Sequence, residues 1–149
     1  MNKQIRQGVF ETNSSSTHSM SISPGNHYIP NVETMEIHTG DFGWEERVYT
    51  NIEDKLSYAL TYALYNSSVD DLEMLNELLM ENMPETEILY DGMTFEELSE
   101  INLENTDMDF GYIDHQSISE ASEMFFSKGH LEDFIFGTDS YFKTDNDNH

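Results

Sequence analysis

Four consecutive hydroxyl side chains, Ser14, Ser15, Ser16 and Thr17, run directly into His18. With their backbone N–H groups they offer a short loop of donors able to cradle a phosphate or another anion. Phosphate loops usually open a helix and carry glycine, whereas this segment has no glycine and leads into the strand-like HSMSIS. The same residues also suit a plain hydrogen-bonded turn, in which Asn13 and the hydroxyls satisfy backbone groups.

A second titratable pair, Asp114 and His115, lies far along the chain on another strand candidate. If the two strands are neighbours, His18, Asp114 and His115 converge with Glu11 or Asp147. Imidazoles and carboxylates suit a divalent metal as cofactor, with His18, His115 and Asp147 as ligands and open positions for water. Without metal, His18, Asp114 and His115 suit general acid–base work of a hydrolase kind, because histidine titrates near neutrality. A Ser–His–Asp nucleophilic set is formally present, but the glycines of a nucleophile elbow are missing. Histidines satisfied by hydrogen bonds within a sheet are the structural alternative.

The chain that must position these groups has 149 residues, enough for a single acidic domain with one core. With 37% hydrophobic residues, including nine Phe, eight Tyr and one Trp, it is too apolar to stay unfolded. Six Lys and Arg stand against 30 Asp and Glu, a net charge of −24. Such a field repels nucleic acid and anionic membranes and attracts basic surfaces, so a basic protein is the natural partner. The absence of cysteine excludes disulfides and thiol chemistry and fits a reducing cytoplasm. No apolar run approaches a membrane span, and no apolar segment of signal-peptide length follows MNKQIRQG. The expectation is a soluble cytoplasmic protein.

Apolar periodicity orders the elements. Residues 3–10 and 18–23 read as a strand pair flanking the polar loop at 11–19, and Val32–His38 as a third strand. Phe42 and Trp44 are expected in the core. Thr50 with Glu53 forms a capping-box spacing ahead of Ile52, Leu56, Ala59, Leu60 and Ala63. Ser68 with Asp71 opens a second helix with Leu72, Leu75, Leu79 and Met83 inward, ended by Pro84, so a helical hairpin over about 51–83 follows. Glu87–Tyr90 reads as a strand, Thr94 with Glu97 caps a brief helix, and Tyr112–His115 reads as another strand. Ser117 with Glu120 opens a helix over Ile118–Ser127, stopped by Gly129. Phe134-Ile-Phe and Ser140-Tyr-Phe look like a closing hairpin, and the tail 145–149 ends in solvent or returns to the polar loop. The order predicts an α+β fold, a mostly antiparallel sheet with helices packed on one face.

The opening Arg6-Gln-Gly-Val-Phe-Glu-Thr-Asn-Ser-Ser-Ser-Thr-His-Ser resembles that of a family of uncharacterised bacteriophage and Gram-positive bacterial proteins. The likeness continues through Asp41-Phe-Gly-Trp-Glu, Lys55-Leu-Ser-Tyr, Tyr112-Ile-Asp-His, Phe134-Ile-Phe and Asp145-Asn-Asp-Asn, with Asp145 where the family tends to have glycine. The resemblance implies a phage-like or accessory origin, in the host cytoplasm if phage-encoded, and gives no mechanism.

Between Leu56 and Ser127 the chain has 17 acidic residues and no Lys or Arg. Glu73, Glu77 and Glu81 recur every fourth residue opposite the leucines, a like-charge spacing that costs a few tenths of a kcal/mol per pair. A solvated face explains this, and so does imitation of a phosphate backbone. DNA carries one charge per ~1.7 Å of axis, so a mimic needs several elements together. The expected function is therefore an acidic accessory or inhibitor protein, a DNA mimic that binds a basic surface of a host or phage nucleic-acid-handling protein. Glu73, Glu77, Glu81, Glu96, Glu97, Glu100 and Asp107 are the expected contacts. The alternative is the metal- or anion-dependent enzyme built on the polar loop.

Overall fold

The computed structural model describes residues 16–42, 47–113 and 121–146, with backbone alone at 16–19 and 145–146. Its centre is helix α1, Ile52–Tyr65, which buries Leu56, Tyr58, Ala59, Leu60, Ala63 and Leu64. The helix starts one residue later than the Thr50 spacing predicts: Asn51 Oδ1 accepts the Asp54 N–H at 2.8 Å. Asparagine outranks threonine at this position, and its carbonyl oxygen reaches the third helical amide. Helix α2, Val69–Asn82, begins where expected, with Ser68 Oγ accepting the Asp71 N–H at 3.3 Å. It packs against α1 through Leu72, Leu75, Leu78 and Leu79 and ends just before Met83 and Pro84. The brief helix α3, Phe95–Ser99, has the reciprocal capping box of Thr94 and Glu97.

The C-terminal third departs from the sequence pattern. The capping pair Ser117 and Glu120 lies outside the described residues, and beyond it Ser122–Phe125 forms a single 3-10 turn. Gly129 does not stop a helix. It sits in the first turn of α4, Lys128–Phe136, whose start is fixed by Ser127 Oγ accepting the His130 N–H at 3.1 Å. Phe134-Ile-Phe is therefore helical rather than the first arm of a closing hairpin. Leu131, Phe134 and Ile135 stand at helical spacing and are all fully buried, whereas three apolar residues alone carry no period to separate helix from strand.

Strands β1 (Ser16–Ser21), β7 (Tyr141–Asn146) and β4 (Arg47–Tyr49) make an antiparallel sheet with β7 in the middle. Two parallel pairs complete the α+β fold: β2 (Thr34–Ile37) with β5 (Glu87–Tyr90), and β3 (Asp41–Phe42) with β6 (Tyr112–Ile113). Residues 3–10, the expected partner of β1, lie outside the described residues, as does Trp44; the described partner of β1 is β7. Gly111, at φ +83°, immediately precedes β6: a Cβ there would strike the backbone oxygen of Gly40, which instead accepts the Tyr112 N–H at 3.0 Å.

Sheet and helices meet in an aromatic cluster. Phe142 of β7 stacks on Tyr58 of α1 at 4.0 Å and on Tyr49 of β4 at 4.5 Å, and Phe42 of β3 meets Tyr58 edge-on at 5.0 Å. Burial pushes the Tyr58 hydroxyl well above its usual pKa. No helix among the described residues is long and apolar enough to cross a membrane.

Candidate functional site

Three groups of residues bear on function, and the fold treats them differently. The polar loop enters the described structure at Ser16, and Ser16, Thr17 and His18 belong to β1. The β1–β7 register sets Ser16 opposite Asn146, Thr17 opposite Asp145 and His18 opposite Thr144. The chain end thus returns to the polar loop as far as Asn146. Glu11, Ser14, Ser15, Asp114, His115 and Asp147 lie outside the described residues. The strand adjacency on which a His18–Asp114–His115 site depends is absent from the described sheets, since β6 pairs with β3 and β1 with β7. Among the described residues no three His, Asp or Glu side chains group as a metal site.

The acidic set occupies the surface of α2, α3 and the loop that follows. All seven expected contacts, Glu73, Glu77, Glu81, Glu96, Glu97, Glu100 and Asp107, are exposed. Three are already engaged. Lys128, at the start of α4, reaches across to α2, 2.7 Å from Glu81 Oε2 and 3.5 Å from Glu77 Oε1. These contacts, the Glu81 hydrogen bond foremost, raise the Lys128 pKa. The four-residue acidic repeat is thus partly compensated by a lysine that sequence spacing could not place. Glu97 accepts the Thr94 N–H at 2.9 Å in the α3 capping box. The carboxylates of Glu73, Glu96, Glu100 and Asp107 have no hydrogen-bond or ion-pair partner among the described residues. Residues of α2 and α3, Glu73 and Ser99 among them, border a small apolar crease.

The third group was not expected from the sequence. Lys55 sits at 1% exposure on the buried side of α1. Its ammonium donates to the carbonyls of Gly137 and Ser140, each at 3.0 Å, and lies 5.9 Å from the centre of the Phe134 ring. No carboxylate pairs with it among the described residues. Gly137 ends α4, so the negative end of that helix and two carbonyl dipoles stand in for a counter-ion. Burial still lowers the Lys55 pKa to about 8.

The turn around Lys55 is tightly held. Ser140 Oγ donates to the Asp133 carbonyl at 2.7 Å and accepts the Ser23 N–H at 2.8 Å, while Tyr28 N–H bonds the Phe136 carbonyl at 2.8 Å. A Cβ on Gly137 would collide with the Asp133 carbonyl oxygen. Beside this turn opens a groove of about 470 Å³. Its walls are Tyr28, Pro30, Val32, Met35, Ile52 and Phe136; Lys55 and the first turn of α1 also line it. The signal for Lys55 was present in the sequence as a lone lysine three residues after Ile52 and four before Ala59, inside the apolar stripe of α1.

No protein family, curated protein or solved structure matches the chain. The functional reading therefore rests on the residues themselves.

Proposed function

We propose that this is an acidic accessory protein that docks on the basic surface of a nucleic-acid-handling protein and competes there with DNA. The supporting observation is a set of exposed carboxylates, Glu73 of α2, Glu96 and Glu100 at α3 and Asp107 of the loop that follows, without hydrogen-bond or ion-pair partners among the described residues. The backbone of helices already anchored by buried leucines is ordered before binding, so only the rotamers of their carboxylates remain to be fixed against a complementary surface. Four residues of helix span ~6 Å, so α2 alone supplies well under the charge density of a duplex, and α3 and the loop to Asp109 must add to it. The likeness of the polar N-terminal motif to phage proteins fits a product that acts on the replication or transcription machinery of host or phage.

The reading is tested by capture from host lysate at low and high salt, with captured proteins identified by mass spectrometry. Wild type retains a basic nucleic-acid-handling protein that high salt releases. The Glu73→Gln/Glu96→Gln/Glu100→Gln/Asp107→Asn variant, folded by circular dichroism, loses it; equal retention by both forms would refute the proposal.

A further inference from the structure

Two large apolar side chains stand exposed where α4 begins against α2. Phe126 is 78% exposed although Met124 and Phe125 just before it are buried, and Met80 is 59% exposed between Glu77 and Glu81 on α2. The Lys128 ion pairs join the two elements here, with Phe126 two residues before their lysine end and Met80 between their carboxylate ends. Both side chains are held in place. The Phe126 ring meets the His130 ring edge-on at 5.2 Å across the first turn of α4, and Met80 Sδ accepts an Asn76 Nδ2–H at 3.4 Å. Asn76 is itself anchored, since its Oδ1 accepts the hydroxyl of buried Tyr90 at 2.9 Å. Apolar groups left in water stabilise nothing in the fold, whereas apolar groups ordered in advance and rimmed by charge suit the centre of an interface.

The rim decides what covers them. Glu77 and Glu81 flank Met80, Glu123 lies three residues before Phe126, and Lys128 is already engaged by the first two acids. A second copy of this chain would bring −24 against −24 and is repelled. We infer that Phe126 and Met80 anchor a basic amphipathic segment of a protein partner, its apolar stripe on these two side chains and its Lys and Arg against Glu77, Glu81 and Glu123. The inference rests on the acidic-surface reading for the sign of the partner and adds the apolar contact that charge alone does not supply.

The probe is a peptide of about four helical turns with leucine at every third or fourth position and lysine elsewhere. Its control has the same charge and serine in place of leucine. Each is titrated into the ¹⁵N-labelled full chain and followed by amide shifts. The leucine peptide is expected to saturate shifts at Met80, Phe126, Lys128 and His130 and to bind at least about tenfold more tightly than the control. The Phe126→Ala/Met80→Ala variant, which trims only exposed side chains and keeps the fold, should lose that preference with its affinity for the control unchanged. The Glu73→Gln/Glu96→Gln/Glu100→Gln/Asp107→Asn variant keeps this rim and should keep the preference, so failure of the DNA-competition reading and failure of this one are told apart. Equal affinity for the two peptides, a preference indifferent to Phe126→Ala/Met80→Ala, or self-association of the wild type that the same variant removes in sedimentation, would overturn the inference.

Discussion

Helices α1 and α2 are each 14 residues long and lie against one another, yet they handle charge in opposite ways. Helix α1 turns a single cation inward and gives it carbonyls instead of a carboxylate; α2 turns Asp70, Glu73, Glu77 and Glu81 outward, Glu77 and Glu81 to Lys128 and the other two to water. An inward charge is committed to the fold, since removing it strands the groups that satisfy it. An outward charge is nearly free of structural consequence and is available to a partner. The contrast separates residues that hold the molecule together from those that meet other molecules.

The largest effect is expected from Lys55→Ala. It leaves the Gly137 and Ser140 carbonyls without their donor and a cavity where three methylenes and the ammonium packed, at a cost of about 3 kcal/mol. Urea unfolding measures it; a loss within about 0.5 kcal/mol would show that Lys55 is no more structural than a surface lysine.

A pH titration sharpens the same point. The Lys55 pKa is about 8 folded against 10.5 in the unfolded chain, so between these values the unfolded chain holds a proton that the folded one has released. Stability from this group therefore rises with pH, by about 2 kcal/mol from pH 8 to 10, and the penalty for burying the charge is fully present below 8. Above 10 the buried Tyr58 and Tyr90, with raised pKa values, act in the opposite sense. Urea midpoints at pH 8 and 10 should show the rise in wild type and its absence in Lys55→Met; a rise of equal size in both would remove Lys55 as its source.

The smallest expected effect lies on the other helix. Neutralising Glu73, Glu77 and Glu81 to Gln removes like-charge repulsion and the Lys128 ion pairs together, so the unfolding free energy should stay within about 0.5 kcal/mol of wild type. A larger loss would mean that α2 depends on its acids for its own stability.

What the sequence made legible follows the reach of each interaction. Ser68 with Asp71 and Thr94 with Glu97 announced α2 and α3 because a cap is closed within three residues. The exposure of Glu73, Glu77 and Glu81 was readable from the leucines opposite them. The apolar stripe around Lys55 marks it as buried, but its acceptors, 82 and 85 residues away, are beyond any local pattern, as is Glu81 for Lys128, 47 residues distant. Phe134-Ile-Phe is ambiguous for a different reason: a three-residue run suits helix or strand, and the cap that decides it, Ser127, also fits the end of a helix over Ile118–Ser127. The polar loop led to an assumed meeting of His18 with Asp114 and His115 because residue types do not reveal strand order.

The central claim, that the outward acids of α2 and α3 occupy a DNA-binding surface, is tested most directly by competition. A basic partner captured by the wild-type protein is titrated with duplex DNA at fixed low salt, and the complexes are followed by size-exclusion chromatography. Mutual exclusion is expected, with DNA displacing the acidic protein and the four-site neutralised variant unable to displace DNA in return. A stable ternary complex of partner, DNA and this protein would contradict it.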